Sequence, residues 1–318
     1  MNPLTGLFGA VTALRNAMFD RGVLPARRLQ QPVVSVGNLS VGGSGKTPFV
    51  IALGELLQAR GIRFDVLSRG YGRKTRGVLI VETDGNASEF GDEPLVIARR
   101  LGVPVIVGES RYDAGRVAEQ KFETQLHILD DGFQHRSLAR DFDIVLMTER
   151  DFGDKLLPSG RLREPLSSLA RADAVVLPKG LALDHPGLQK PIWRIERELA
   201  LPNLPPTPVV FCGIARPEQF FAHVRAAGIT PAAEIVFRDH HSYDRSDIER
   251  LLAMRGKLSA GGFLTTEKDA VNLGLSLADL APLAVARLEL TLHHPTEVLD
   301  AILARTVFAR IRDQKLRS

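Results

Sequence analysis

Eight consecutive residues, Ser40-Val41-Gly42-Gly43-Ser44-Gly45-Lys46-Thr47, have the composition of a phosphate cradle. Glycines let successive backbone N–H groups turn inward at a helix start, a lysine reaches the β- and γ-phosphate oxygens, and a threonine hydroxyl serves Mg²⁺. The general pattern G-x-x-x-x-G-K-[ST] is met at Gly45, Lys46 and Thr47, with Ser40 standing where the first glycine is expected. A glycine-rich turn that merely contains Lys-Thr is the other reading. The flanks favour phosphate, because an apolar run precedes the loop and helical periodicity follows it. A P-loop also needs an acid for its metal, and the apolar run Leu126-His127-Ile128-Leu129 ends in Asp130-Asp131. Adjacent carboxylates repel one another unless a cation lies nearby. In isolation they would read as a solvated acidic loop; beside a P-loop they read as Mg²⁺ ligands with Thr47.

Those groups must be held by elements, and from residue 32 onward the pattern alternates between short apolar runs and helical periodicity. Strands are expected at 33–36, 64–67, 77–82, 104–107, 126–129, 144–147 and 174–177, and helices at 48–60, 93–101 and 111–120. Such alternation implies a parallel sheet covered on both faces, an α/β fold of the P-loop NTPase type. The stretch 184–208 is rich in proline and reads as a linker holding one extended piece at 192–195. A second, smaller α/β pattern follows, with strands at 209–211, 234–237, 263–266 and 286–292 and helices at 217–227, 246–254 and 295–304. The expected organisation is a P-loop domain over 1–183, a linker over 184–208 and a smaller domain over 209–318, with a cleft between the two lobes.

Bulk properties narrow the classes. Lys+Arg 41 against Asp+Glu 37 leaves a charge of +4, too small and too scattered to argue for nucleic acid. The single cysteine, Cys212, excludes an internal disulfide and any multi-cysteine metal site, and suits a reducing cytoplasm. No run reaches the roughly 18 apolar residues of a membrane span. Residues 1–14 carry no charge and basic residues come after them, the reverse of a secretory signal. Leu4, Leu7, Phe8, Val11, Leu14 and Met18 recur at helical spacing, followed by Arg15, Arg21, Arg27 and Arg28. An amphipathic helix on an anionic bilayer and a terminal helix packed on its own domain both fit.

P-loops serve switches, ATPases and kinases. The guanine-reading string N-K-x-D is missing; Thr266-Glu267-Lys268-Asp269 is out of register for it. The run from Ser35 to Pro48 resembles the loop of the tetraacyldisaccharide 4′-kinases, the lipid A 4′-kinases. So do Ser68-Arg69-Gly70-Tyr71-Gly72-Arg73, Gly91-Asp92-Glu93-Pro94 and Leu129-Asp130-Asp131-Gly132-Phe133-Gln134-His135. Further matches are Pro158-Ser159-Gly160-Arg161-Leu162-Arg163-Glu164-Pro165, Asp239-His240-His241 and Thr265-Thr266-Glu267-Lys268-Asp269-Ala270. They follow in order along nearly the whole chain. Asp-Asp-Gly-Phe-Gln-His is specific where the P-loop alone is not, and serine at position 40 is the form this family has.

The resemblance implies transfer of the γ-phosphoryl group of ATP, with Mg²⁺, to the 4′-hydroxyl of a tetraacylated glucosamine disaccharide 1-phosphate in lipid A biosynthesis. It implies a two-lobed α/β architecture and a peripheral protein on the cytoplasmic face of the inner membrane of a Gram-negative cell. No protein partner is implied. It also favours the membrane-facing reading of the N-terminal helix. Among residues, the resemblance implies Asp92 as the base taking the hydroxyl proton, partnered by His240, one from each lobe. By residue type alone Asp92 equally fits a helix N-cap, and His241 competes with His240. Arg111 reads either as a γ-phosphate clamp beside Lys46 or as a surface ion pair. Gln134 and His135 follow the metal strand and line the phosphate or the sugar; Arg163 and Glu164 carry over by motif to the nucleotide site.

Overall fold

The computed structural model describes residues 3–182, 189–201 and 204–310. In chain order come α1 (Pro3–Asp20), β1 (Val33–Asn38), α2 (Lys46–Ala59), β2 (Phe64–Ser68), β3 (Leu79–Ile80), α3 (Ala87–Phe90) and α4 (Asp92–Leu101). Next are β4 (Val105–Val107), α5 (Arg111–Lys121), β5 (Leu126–Asp130), β6 (Phe142–Leu146), β7 (Ala174–Pro178), β8 (Ile192–Ala200) and β9 (Val209–Cys212). The chain continues through α6 (Pro217–Ala226), β10 (Ala233–Val236), α7 (Arg245–Leu258), β11 (Phe263–Thr266), α8 (Glu267–Leu273), β12 (Leu283–Leu292) and α9 (Pro295–Arg305).

The strands form one sheet in the order β10-β9-β11-β12-β8-β7-β6-β1-β5-β2-β4-β3. Every residue of β1, β2, β4, β5 and β6 is buried, which explains why these strands read as unbroken apolar runs rather than alternating ones. β1 lies between β5 and β6, parallel to both, so the loops that follow these three strands emerge side by side. Among the strands of the described residues, only β3–β4 and β8–β12 pair antiparallel.

The sheet is continuous where sequence suggested two separate ones, and the reason lies in β8 and β12. Ile192–Ile195 of β8 pair in parallel with β7, then Ile195–Ala200 pair antiparallel with Leu292–Arg287 of β12. The first part of β12, Leu283–Ala286, pairs with β11. Each long strand thus changes partner midway and belongs to both halves. The extended piece in the expected linker runs over Ile192–Ala200, longer than 192–195; Asp184 and Pro202 of that linker lie outside the described residues.

Helices cover both faces. α2, α4 and α9 share one apolar cluster that includes Leu53, Leu57, Leu95, Ile97, Val298, Leu299 and Ile302. α5 closes the other face with Ala114 and Ala118 against Leu67, Ile106 and Leu129. In the C-terminal part, Ile248 and Leu251 of α7 pack on one side of β9 and β11, and Phe220, Phe221 and Val224 of α6 on the other. α1 buries none of its residues fully. Phe8 and Met18, expected on its apolar stripe, are half-buried; Leu4, Leu7, Val11 and Leu14 make the exposed stripe. Among the described residues, no helix is long and apolar enough to cross a membrane.

Candidate active site

The loop after β1 turns on Gly42 and Gly45, whose φ values of 95° and 83° lie in the region that favours glycine, and Gly45 caps α2. Lys46 opens that helix. Its Nζ lies 3.2 Å from Asn38 Oδ1 and 3.5 Å from Asp131 Oδ1. Ser40, Ser44 and Thr47 are buried, and the hydroxyls of Ser40 and Ser44 have no partner among the described residues. Buried donors without partners beside a lysine at a helix N-terminus constitute a site for an anion.

Asp130 ends β5 and Asp131 follows with φ 48°. Burial raises the Asp131 carboxyl, but Lys46 and Arg163 outweigh it and hold the group well below the usual carboxylate range. Arg163 grips it with Nη1–Oδ2 at 3.0 Å and Nη2–Oδ1 at 2.8 Å. Asp130 is the opposite case. Burial, then the charges of Glu93 and Asp131, push it up to about 7, against Lys46 and a hydrogen bond from the Ser68 hydroxyl. Its Oδ1 is buried without a partner. Crowded acids with an orphaned oxygen fit a divalent cation. Among the described residues there is no cluster of three or more His, Cys, Asp or Glu ligands.

α4 begins at Asp92, and its N-cap is Gly91, so Asp92 lies in the first turn rather than at the cap. It is buried, its Oδ1 accepting from the Glu93 N–H at 2.8 Å. Oδ2 meets the His240 ring Nδ1 at 2.7 Å. His241 is engaged elsewhere, with its Nε2 2.8 Å from Asp247 Oδ2. Burial raises Asp92, but the His240 hydrogen bond and the Lys268 charge outweigh it and depress the carboxyl. The same bond raises His240 above its ordinary value against the effect of burial. Glu93 links this pair to the P-loop acids, since its charge acts on Asp130 and its carboxylate pairs with Lys268.

Arg111 opens α5, is buried, and donates to the Glu109 carbonyl at 3.0 Å. Burial and Arg69 pull it down to about 10, while Asp131 and Asp130 draw it up. It makes no ion pair within 4.0 Å among the described residues, so it is no surface salt bridge. His135 is pushed down to about 4 by burial and by Arg111, Arg140, Arg15 and Arg69, which leaves a neutral ring. Gln134 is tied back, with Nε2 donating to the Asn38 carbonyl at 3.0 Å and its own carbonyl accepting from Arg15 at 2.9 Å. Glu164 is turned to other work. Its carboxylate accepts from Asn16 of α1 at 2.7 Å and pairs with Arg171 at 2.9 Å.

A family model described as tetraacyldisaccharide-1-P 4′-kinase matches residues 1–307. The chain belongs to that kinase family. It is 52% identical over 314 residues to the tetraacyldisaccharide 4′-kinase of Koribacter versatilis (strain Ellin345), covering 95% of this chain and 98% of the relative. The kinase of Geobacter metallireducens is 39% identical, with 93% and 94% covered. The crystal structure of the "apo" form of LpxK from Aquifex aeolicus in complex with ATP superposes with a TM-score of 0.79 at 34% identity, covering 96% of this chain and 98% of that one.

Around the kinase site, Asn38 and Asp269 lay inside the resemblance strings without a contact assigned to them, and Asn272 had no sequence signal. Asn38 receives both Lys46 and Arg163 on its side-chain oxygen. Asn272 of α8 donates to Asp92 Oδ2 at 3.3 Å. Asp269 accepts from the Gly213 N–H at 2.8 Å, the Tyr243 hydroxyl at 2.7 Å and the Thr266 hydroxyl at 2.5 Å, which ties together the segments flanking His240. The string Thr-Thr-Glu-Lys-Asp marked the region; the contacts required the fold.

Proposed function

We propose that this chain transfers the γ-phosphoryl group of ATP to the 4′-hydroxyl of a tetraacylated glucosamine disaccharide 1-phosphate, a step of lipid A biosynthesis. The observation that carries the reading is the convergence of Lys46, Asp130, Asp131 and the Asp92–His240 pair in a member of this family. The P-loop N–H groups of residues 40–47 and Lys46 hold the triphosphate, with Arg111 drawn to the γ-phosphate. Lys46 exchanges Asp131 for phosphate oxygens as nucleotide enters, and Arg163 keeps Asp131 ionised. Thr47, Asp130 and Asp131 hold Mg²⁺, which supplies charge neutralisation on the phosphate oxygens. Asp92, oriented by His240 and Asn272, takes the hydroxyl proton as the new O–P bond forms and the bond to the ADP oxygen breaks. Neutral His135 and Gln134, whose side chain is held on the Asn38 carbonyl, follow the metal acids on the same loop. Glu164 supports the site indirectly by fastening α1.

Residues 1–183 and 209–318 act as two lobes joined through 184–208, with Asp92 and His240 contributed from opposite sides. The exposed Leu7, Val11 and Leu14 of α1 are the membrane contact. The protein then works peripherally at the cytoplasmic face of the inner membrane, where the acyl chains of the substrate lie.

The test is incubation with ATP, Mg²⁺ and the tetraacyldisaccharide 1-phosphate in detergent micelles, followed by mass analysis of the lipid. The lipid gains one phosphoryl group if the proposal holds. ATP turnover without that gain would sink it.

A further inference from the structure

Two arginines beside the P-loop have no part in the chemistry so far described. Arg197 of β8 reaches across the chain to the loop, where its Nη2 donates to the Ser44 carbonyl at 2.6 Å. Its guanidinium covers Gly45 so closely that a Cβ there would lie 2.9 Å from Nη2. Arg216 precedes α6 and is only 8% exposed. It has no ion pair within 4.0 Å and no hydrogen bond from its side chain among the described residues, and its Nη2 is fully buried. Arg197 Nε is likewise buried without a partner.

Their surroundings are mostly of like sign. Burial lowers both guanidiniums, and Arg216 adds its repulsion to Arg197. Arg161 and Arg150 repel Arg216, offset in part by Asp151 and Glu218. The Asp151 Oδ2 serves the Thr148 N–H and hydroxyl while its Oδ1 is buried without a hydrogen bond and makes none to Arg216, and Glu218 faces Arg150 at 3.8 Å. Burying a guanidinium without an acceptor is unfavourable, because its donors lose water and gain nothing in return. Arg216, with no acceptor on its side chain, and Arg197, held by one backbone carbonyl, together offer unmatched donors that an anion would satisfy.

Position decides which anion. β1 separates β5, which carries Asp130 and Asp131, from β6, β7 and β8, which carry Arg197. The γ-phosphate must face Asp92 and the metal acids. The remainder of the nucleotide therefore extends over the P-loop to the β6–β8 side. We propose that Arg197 and Arg216 form a second anion subsite that receives the α-phosphate end of the bound nucleotide, Arg197 leaving the Ser44 carbonyl to do so. The proposal rests on the nucleotide-binding part of the function above, and it is independent of the acceptor's identity.

The experiment is equilibrium titration of the full chain with Mg²⁺-ADP, for wild type, Arg216→Gln, Arg216→Lys and Arg197→Gln, alongside the KM for the lipid and thermal melting without ligand. Loss of a charge-assisted hydrogen bond predicts roughly a 10- to 100-fold weaker ADP affinity for Arg216→Gln and Arg197→Gln. Arg216→Lys should recover part of it, with the lipid KM unmoved. The ligand-free melting temperature should stay level or rise, because an unmatched buried charge has been removed. ADP affinity within about twofold of wild type overturns the proposal. A rise confined to the lipid KM assigns the pair to the acceptor's own phosphate and overturns it too. A ligand-free melting temperature lowered in Arg216→Gln shows a structural counter-charge and likewise overturns it. If the lipid gained no phosphate but ADP affinity still fell, the kinase reading would fail and this one would stand.

Discussion

Nδ1 of His240 lies 2.7 Å from Oδ2 of Asp92, across 148 residues of sequence. His240 reaches that point with φ 56°, a left-handed backbone that a non-glycine residue adopts only when neighbours impose it. The imposing contacts are the His240 N–H to the Gly213 carbonyl at 3.1 Å and the Asp269 network behind it. Replacing Asp92 by Ala should lower turnover by about 100- to 10,000-fold, the usual weight of general base catalysis, with ATP affinity changed less than about threefold. Stopped-time assays paired with ATP titration check this. Near-normal turnover in the variant rules Asp92 out as the base.

The same pair sets the pH dependence. His240 is raised above 6.5 by the Asp92 hydrogen bond. Asp92 is held below 3.8, burial being outweighed by His240 and Lys268. The pair therefore carries one proton, on the imidazole, until the pH exceeds the raised value. A base that must accept a proton works after this one leaves, so turnover should rise with pH through a midpoint above 6.5. For stability the signs are separate. The His240 contribution is complete below 6.5 and fades as pH rises through its folded value, and the Asp92 contribution fades as pH falls through its own. A rate profile whose limb lies at or below 6.5 would contradict the assignment.

Asp130 is crowded by Asp131 and Glu93 with one oxygen unmatched. Asp130→Asn should raise the melting temperature of the metal-free protein by a few degrees, since one like charge leaves the cluster. It should also abolish the extra stabilisation that Mg²⁺ adds to ATP. Melting curves with ATP alone and with Mg²⁺-ATP read both effects. A lower metal-free melting temperature argues that Asp130 is paired.

Away from the site, His127 of β5 lies directly across from Asp65 of β2, with Nδ1 2.8 Å from Oδ2. Both are fully buried, and Glu119 approaches Nε2 at 3.5 Å. Burial lowers His127, but Asp65 and Glu119 outweigh it and raise it to about 9. A raised histidine stabilises fully below 6.5 and loses its contribution as pH climbs to about 9, on the order of a few kcal/mol. Denaturant midpoints should fall across that window in wild type and fall markedly less in His127→Gln, where only the smaller His240 contribution remains. A wild-type midpoint that holds steady from pH 6.5 to 9 disproves the charge.

Leu7, Val11 and Leu14 are 62%, 58% and 64% exposed on α1. Replacing all three by Ser should reduce co-sedimentation with anionic vesicles several-fold, while melting temperature stays constant because none is buried. Unchanged sedimentation would return α1 to the role of a packed terminal helix.

Much of this was legible in the residues. The strands around the P-loop were readable because, buried on both faces, they are continuous apolar runs ended by glycine or acid. The P-loop and Asp130-Asp131 were readable because each sits at the end of such a run, whereas Asp92, His240, Arg163 and Glu164 were read only through the family resemblance. What sequence hid was pairing. Asn272 and Lys268 act on Asp92 and Glu93 only after α8 docks against α4, a contact no local pattern encodes. β8 looked like a short linker because proline flanks it and its exposed Glu196 and Glu198 interrupt the apolar pattern. His127 read as one more residue of an apolar strand, since its partners belong to β2 and α5. Phe8 and Met18 kept helical spacing but went to the inner side of α1, where Asn16 and Thr5 bind Glu164 and Ser159.

α9 completes the apolar cluster around α2 and α4, placing Val298, Leu299, Ile302 and Leu303 against residues encoded some 200 positions earlier. During synthesis the part of that cluster covered by α9 therefore stays open until residues 295–305 have been made. Chains that stop before residue 295 leave that apolar patch in water. Catalytic competence then arrives late in translation, after both members of the Asp92–His240 pair have been made.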